Sequence, residues 1–263
     1  MARFCSLFSS SSGNCTYIGT SSANILVDVG VSAKRAENAL REKGIDPGSI
    51  DAIFVTHEHS DHINGVRVFA SRYNIKVYAT GGTLTQMEKS KALCEKNVYE
   101  PVNANGVEVN GLFVKPFATL HDAAESCGYT VLTSDSKRIS VCTDLGIMTD
   151  EVLNAISGSD LVLLESNHDV NMLRNGSYPY LLKRRILSEL GHLSNDACAE
   201  TAVKLIDSGT TRLVLGHLSH ENNIPALAAE TTRCALKSAG MSENSDYLLE
   251  VAGGGDDSRI IAF

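Results

Sequence analysis

Short apolar runs recur along the chain, and most stop at a polar residue able to bind a metal. Asn24-Ile25-Leu26-Val27 stops at Asp28, Ala52-Ile53-Phe54-Val55-Thr56 at His57, and the run 112–120 at His121. Likewise 138–143 stops at Asp144, Leu161-Val162-Leu163-Leu164 at Glu165, and Arg212-Leu213-Val214-Leu215-Gly216 at His217. Continuous β-branched-rich runs of this length read as strands buried on both faces. Helical periods lie between them, over 32–43, 63–73, 83–95, 149–156, 178–190, 195–207 and 224–239. Strands alternating with helices predict helices packed over sheets, with rigid strand ends positioning the polar residues. Ser9-Ser10-Ser11-Ser12-Gly13-Asn14 predicts a polar hairpin turn between two strands. Gly253-Gly254-Gly255-Asp256-Asp257 predicts a turn before a last strand over 258–263. Val27-Asp28-Val29-Gly30 is echoed faintly by Thr143-Asp144-Leu145-Gly146. With no Pro-rich linker, low-complexity tract or charge block, a single α/β domain over 1–263 is expected, built of two sheets faced by helices.

Composition narrows the class. Of the 263 residues 43% are hydrophobic, enough for a sizeable core. No apolar run reaches the roughly 18 residues of a membrane span. The start, Met1-Ala2-Arg3-Phe4-Cys5-Ser6-Leu7, lacks a signal-peptide core. The expectation is a soluble cytoplasmic protein with no membrane partner. Seven cysteines, an odd number without C-x-x-C spacing, argue against a disulfide framework or a Cys-based zinc site. The net charge of −8 argues against broad nonspecific nucleic-acid binding. It leaves a phosphodiester substrate open, because bound metals bring their own positive charge.

Residues 57–62 change the picture. They read His57-Glu58-His59-Ser60-Asp61-His62, so four of six positions carry metal-binding side chains. In an extended segment His57 and His59 project to one side and reach one ion. Asp61 and His62 follow as the chain turns into a helix, and can reach a second. Two coordination shells need more donors, and the strand-end residues His121, Asp144 and His217 are the available completions. Each has a plain structural reading when taken singly, as a capped loop histidine, a turn aspartate and a solvent-facing histidine. Nitrogen and oxygen donors suit two divalent ions, zinc or manganese, with iron also compatible. Adjacent cations lower the pKa of a water to give hydroxide and polarise the scissile group, and Asp61 can orient or deprotonate that water.

This ordered set resembles the metallo-β-lactamase superfamily over nearly the whole chain, from Asp28 to His217. The resemblance implies an αββα sandwich of two mixed β-sheets flanked by helices. It implies that His57, His59 and His121 hold one ion and that Asp61, His62 and His217 hold the other, with Asp144 bridging. Asp28 is then the residue that orients motif side chains rather than binding metal.

Other residues choose the branch, since the fold does not. Leu163-Leu164-Glu165-Ser166-Asn167-His168-Asp169 and Gly191-His192-Leu193-Ser194-Asn195 resemble the acidic and His segments of tRNase Z and of the branch that includes RNase J. By that likeness Glu165 orients His192, which serves as general acid toward the scissile phosphate. A plainer reading places His192 beside a helix cap made by Ser194 or Asn195. Arg174, Lys183, Arg184 and Arg185 lie between the two segments and suit phosphate contact or a solvated helix face equally. His168 follows Glu165 and could line a substrate groove. Ser11-Ser12-Gly13-Asn14, 165–169, Arg174-Asn175-Gly176-x-Tyr178-Pro179 and Gly216-His217-Leu218-Ser219-x-Glu221-Asn222-Asn223 resemble the YycJ/WalJ nuclease-like group of Gram-positive bacteria. That likeness implies a cytoplasmic 5′-to-3′ exonuclease on double-stranded DNA, with links to DNA repair and a regulatory pathway. The alternative is a small-molecule hydrolase of a thioester, lactone or cyclic phosphodiester, which the metal site supports equally and the Glu165/His192 pair counts against.

Overall fold

Most of the unbroken apolar runs become strands whose side chains are buried on both sides; the run 112–120 does not, since its strand alternates, with Leu112 and Val114 buried and Phe113 and Lys115 exposed. The computed structural model describes residues 1–253 and 258–263, and four residues of the expected 253–257 turn lie outside them. The fold is mixed α/β, with two mixed sheets flanked by helices. The chain divides into two compact units, one of 1–116, 123–137 and 253–263, the other of 117–122 and 138–252.

In the first unit β1 (Arg3–Ser10), β2 (Gly13–Gly19) and β3 (Asn24–Val27) pair antiparallel. A short terminal strand, Ile261–Ala262, lines β1, so the last strand is much shorter than 258–263. Then α1 (Ala33–Glu42), β4 (Ala52–Phe54), α2 (Ser60–Ile63), α3 (Val66–Tyr73), β5 (Lys76–Ala79), α4 (Gly81–Lys89) and β6 (Tyr99–Pro101) follow. β3 to β6 run parallel, in the order β3-β4-β5-β6. Parallel strands need crossover helices, and α1 turns its Ala36, Ala39 and Leu40 face into the core with Leu26, Ile53 and Phe69. Ser32 caps α1 by accepting from the Arg35 amide at 3.4 Å. β7 (Val107–Val109) and β8 (Leu112–Ala118) form an antiparallel pair, and β9 (Cys127–Thr133) lies beside β8.

The second unit alternates strand and helix: β10 (Arg138–Cys142), α5 (Asp150–Ile156), β11 (Leu161–Glu165), α6 (Val170–Asn175), α7 (Tyr180–Ile186), α8 (Asn195–Asp207), β12 (Arg212–Gly216), α9 (Pro225–Ser238) and β13 (Leu248–Val251). Its strands are parallel in the order β10-β11-β12-β13. Register pairs Glu165 with Gly216, which sets the ends of β11 and β12 level. α8 and α9 cover one side with Cys198, Ala202, Leu205, Ala228 and Leu236.

Several boundaries move for local reasons. The helix expected over 63–73 is two pieces, because the Gly65 amide turns away to bond Val29 O at 2.8 Å. The one expected over 83–95 ends at Lys89, where Lys91 takes a left-handed φ of 61°. The one expected over 178–190 ends at Ile186, whose carbonyl accepts from the His192 amide at 3.0 Å instead. α6, a six-residue helix capped by Asp169, carries too little periodicity to be seen in sequence. Among the described residues no helix is long and apolar enough to cross a membrane.

Candidate metal and catalytic site

Asp28 organises the motif in the first unit. It follows β3 in a left-handed conformation, φ 61°, and its own amide bonds Phe54 O at 2.8 Å. Its Oδ1 accepts from the Thr56 amide at 2.8 Å. Its Oδ2 accepts from the Thr56 hydroxyl at 2.9 Å and from His62 Nδ1 at 2.8 Å. With its proton committed to Asp28, Thr56 Oγ1 is the acceptor for His57 Nδ1 at 3.1 Å. Both imidazoles are thereby held as Nδ1–H tautomers, and the lone pair of each lies on Nε2. Orienting partners of this kind raise the basicity of a ligating nitrogen.

The rings crowd together. Centroids of His57 and His59 are 4.5 Å apart, and those of His57 and His62 4.2 Å. Asp61 Oδ2 is 3.6 Å from His62 Nε2. His57 and His62 are fully buried. His57 and His62, buried, and His59 and Asp61, partly exposed, offer nitrogen and oxygen donors of the kind that zinc, manganese or iron takes. Asn14, from the first hairpin, sets Nδ2 3.0 Å from His62 Nε2. Gly30 admits the motif: a Cβ there would stand 1.6 Å from Asp61 O, so only glycine fits.

A second donor set lies in the other unit. His121 donates from Nδ1 to Gly191 O at 3.0 Å, which again leaves Nε2 as the lone-pair nitrogen. Burial pushes its imidazole below the usual value, against the pull of Asp144, and keeps it neutral. Asp144, two residues after β10, has φ 61°, the same left-handed value as Asp28 after β3. Its Oδ1 lies 3.4 Å from His217 Nε2 and 3.9 Å from His121 Nε2. His217 follows β12 with φ 56°. A left-handed histidine is uncommon and is tolerated where surrounding bonds over-determine it. Here Asn167 Nδ2 holds its carbonyl at 2.9 Å and Glu165 its ring.

Glu165, the last residue of β11, is fully buried. Oε1 accepts from His192 Nδ1 at 2.8 Å and His217 Nδ1 at 2.9 Å. Oε2 accepts from the amides of Leu145 at 3.0 Å and Leu193 at 3.3 Å. Burial alone would raise its pKa, but attraction and hydrogen bonds from His192 and His217 overcome this and hold it well below the carboxylate range. Asp144, Glu165, His192 and His217 bring one donor atom each within 4.8 Å, and the four bonds that Glu165 accepts engage both of its oxygens. His192 is partly exposed, its ring 5.2 Å from that of His217 and 5.0 Å from that of His121. It sits close to the candidate ligands with one nitrogen on Glu165 and the other available for proton transfer.

A model of the beta-lactamase superfamily domain matches residues 23–218. The chain belongs to the beta-lactamase superfamily. Within it, the chain is 39% identical over 250 residues to the exodeoxyribonuclease WalJ of Streptococcus pneumoniae serotype 2 (strain D39 / NCTC 7466), covering 93% of this chain and 92% of that one. It is 36% identical over 239 residues to the exodeoxyribonuclease YycJ of Bacillus anthracis, covering 90% of each. The metallo-β-lactamase fold protein YhfI from Bacillus subtilis superposes with a TM-score of 0.75 at 14% identity, covering 98% of this chain and 99% of that one. This chain of the superfamily is therefore a metal-dependent hydrolase.

Not every residue expected near a phosphate is available for one. His168 is 1% exposed, its Nδ1 3.3 Å from Asn167 Oδ1, and burial lowers its pKa to about 4. It is an interior group, not the lining of an open groove. Lys183 Nζ donates to Arg174 O at 2.8 Å and Gly176 O at 2.7 Å, closing the turn between α6 and α7. Arg185 is paired with Asp122. Arg174 and Arg184 are exposed. Thr56 has no functional signal in the sequence, and Asn14 and Asn167 stand out there only as parts of the segments 11–14 and 165–169. The sequence also does not show the reciprocal amide pair of Asn195 and Asn223, which bonds the carbonyls of Ser166 and Asn167 behind Glu165.

Proposed function

We propose that this chain is a metal-dependent exodeoxyribonuclease that degrades double-stranded DNA from the 5′ end, in the cytoplasm. The 2.8 Å bond between His192 Nδ1 and Glu165 Oε1 carries the phosphodiester reading. The two relatives named as exodeoxyribonucleases support the substrate. Free cysteines throughout the described residues suit a reducing compartment. His57, His59 and His121 would hold one divalent ion and Asp61, His62 and His217 the other, with Asp144 shared. When bound, such ions supply Lewis acidity, making water more acidic and drawing charge from the ester oxygens. Asp61 orients the attacking water and accepts its proton. His192, with Nδ1–H fixed on Glu165, would enter the reaction carrying a second proton on Nε2, give that proton to the leaving oxygen and be left as the neutral Nδ1–H imidazole. Arg174 and Arg184 supply exposed positive charge for the DNA backbone, and regulatory or repair proteins are its expected partners.

The test is His192→Ala with metal content measured beside nuclease activity. The expected result is full metal occupancy with activity on duplex DNA lowered about 10²–10⁴-fold. Undiminished DNA cleavage at full occupancy removes His192 from the chemistry and favours a small-molecule substrate.

A further inference from the structure

α7, whose last residues pack against the segment that carries the candidate acid, exposes an aromatic and an aliphatic side chain in its first turn. Tyr180 is 72% and Leu181 74% exposed, values unusual for large side chains with no assigned work. Arg184, one turn on, places its guanidinium 5.9 Å from the Tyr180 ring centroid. An aromatic face with an arginine over it is the chemistry that receives nucleobases, by stacking and cation–π attraction. Charge points the same way. Between 170 and 190 there are four basic residues and one acidic residue, in a chain of net charge −8.

The face is continuous with the candidate site. α7 ends at Ile186, whose carbonyl bonds the His192 amide at 3.0 Å, and Gly191 O bonds His121 Nδ1 at 3.0 Å. A Cβ on Gly191 would lie 2.3 Å from Arg185 O, so the segment that carries His192 is packed directly against the end of this helix. From Tyr180 to Ile186 the axis rises about 9 Å, roughly three base steps of a stacked strand at about 3.4 Å each. The segment from α7 to His192 also exposes Leu187 and Leu190, and Leu120 and Ile147, joined by the Gly146 amide on Leu120 O, are exposed as well.

We propose that the α7 face of Tyr180, Leu181 and Arg184 is a base-stacking platform that receives the nucleotides next to the scissile phosphate; this rests on the nuclease reading. The platform grips bases by their faces, so it tolerates any sequence, and it makes the enzyme favour a polynucleotide over a small phosphodiester.

The experiment compares wild type, Tyr180→Ala and Tyr180→Phe, metal-loaded, on end-labelled duplex DNA and on bis(4-nitrophenyl) phosphate. In Tyr180→Ala, KM for DNA rises about five- to hundredfold with kcat little changed. The ratio of kcat/KM on DNA to that on the small ester falls accordingly, and Tyr180→Phe restores it. An unchanged ratio in Tyr180→Ala overturns the proposal and assigns the face to a protein partner. A loss shared equally by both substrates overturns it too, as does a loss in Tyr180→Phe as large as in Tyr180→Ala. Wild type that cleaves DNA while Tyr180→Ala matches it sinks the platform alone; wild type inert on DNA sinks the nuclease reading and the platform together.

Discussion

Glu165→Gln is the sharpest single perturbation, because one buried carboxylate serves four donors. Oε1 faces two imidazole N–H groups and Oε2 two backbone amides. Glutamine has the same shape but only one acceptor oxygen. Whichever way the amide turns, its NH2 meets two donors, and two of the four bonds are lost. A bond to a charged acceptor contributes about 1.5–3 kcal/mol, so the change costs about 3–6 kcal/mol. For a protein of this size that lowers the melting temperature by roughly 6–24 °C. Thermal unfolding of the chelated protein measures it. Activity assayed well below the melt should fall about 10²–10⁴-fold, because the tautomers of His192 and His217 are no longer fixed. The carboxyl is depressed in the fold, so its stabilisation is complete above the ordinary value of 4.5 and drains away as pH falls below it. Wild type should therefore lose stability in acid more steeply than Glu165→Gln. A variant that melts within 2 °C of wild type and keeps its activity would refute the reasoning.

Three further outcomes are expected. Burial holds His168 neutral to about pH 4 against an ordinary 6.5; chelated wild type therefore loses about 3 kcal/mol as pH falls across that window. His168→Gln lacks this loss in urea titrations at pH 7 and 4.5, and equal pH slopes count against it. Asp28→Asn weakens the hold on His57 and His62, so zinc titration should show affinity reduced about 10- to 100-fold; unchanged affinity contradicts the orienting role. Removing metal from wild type by chelation should abolish DNA cleavage, and readdition of zinc or manganese should restore it; cleavage that persists without metal denies the metal requirement.

Much of the fold was legible because apolar runs without alternation have few other readings. The donors were legible because those runs stop at them. What stayed hidden was conformation and long-range pairing. Asp28, Asp144 and His217 share a left-handed φ near 60°, which no periodicity encodes. Glu165 reaches His192 across 27 positions and His217 across 52, so only one of its two imidazole partners was anticipated. Thr56 looked like the end of a strand, and its hydroxyl is the link between Asp28 and His57. Lys183 looked available for phosphate because its turn closure depends on carbonyls that sequence cannot place. Short pieces such as α6 and β6 take their form from neighbouring segments rather than from their own pattern.

The central claim is metal-dependent phosphodiester cleavage at these side chains. Its most direct measurement follows duplex DNA labelled separately at the 5′ and 3′ ends, with purified protein loaded in turn with zinc, manganese or iron. The account predicts stepwise loss of nucleotides from the 5′ end with at least one ion, absent in Asp61→Ala. Duplex DNA left intact with every ion, by protein shown to carry metal, would contradict it.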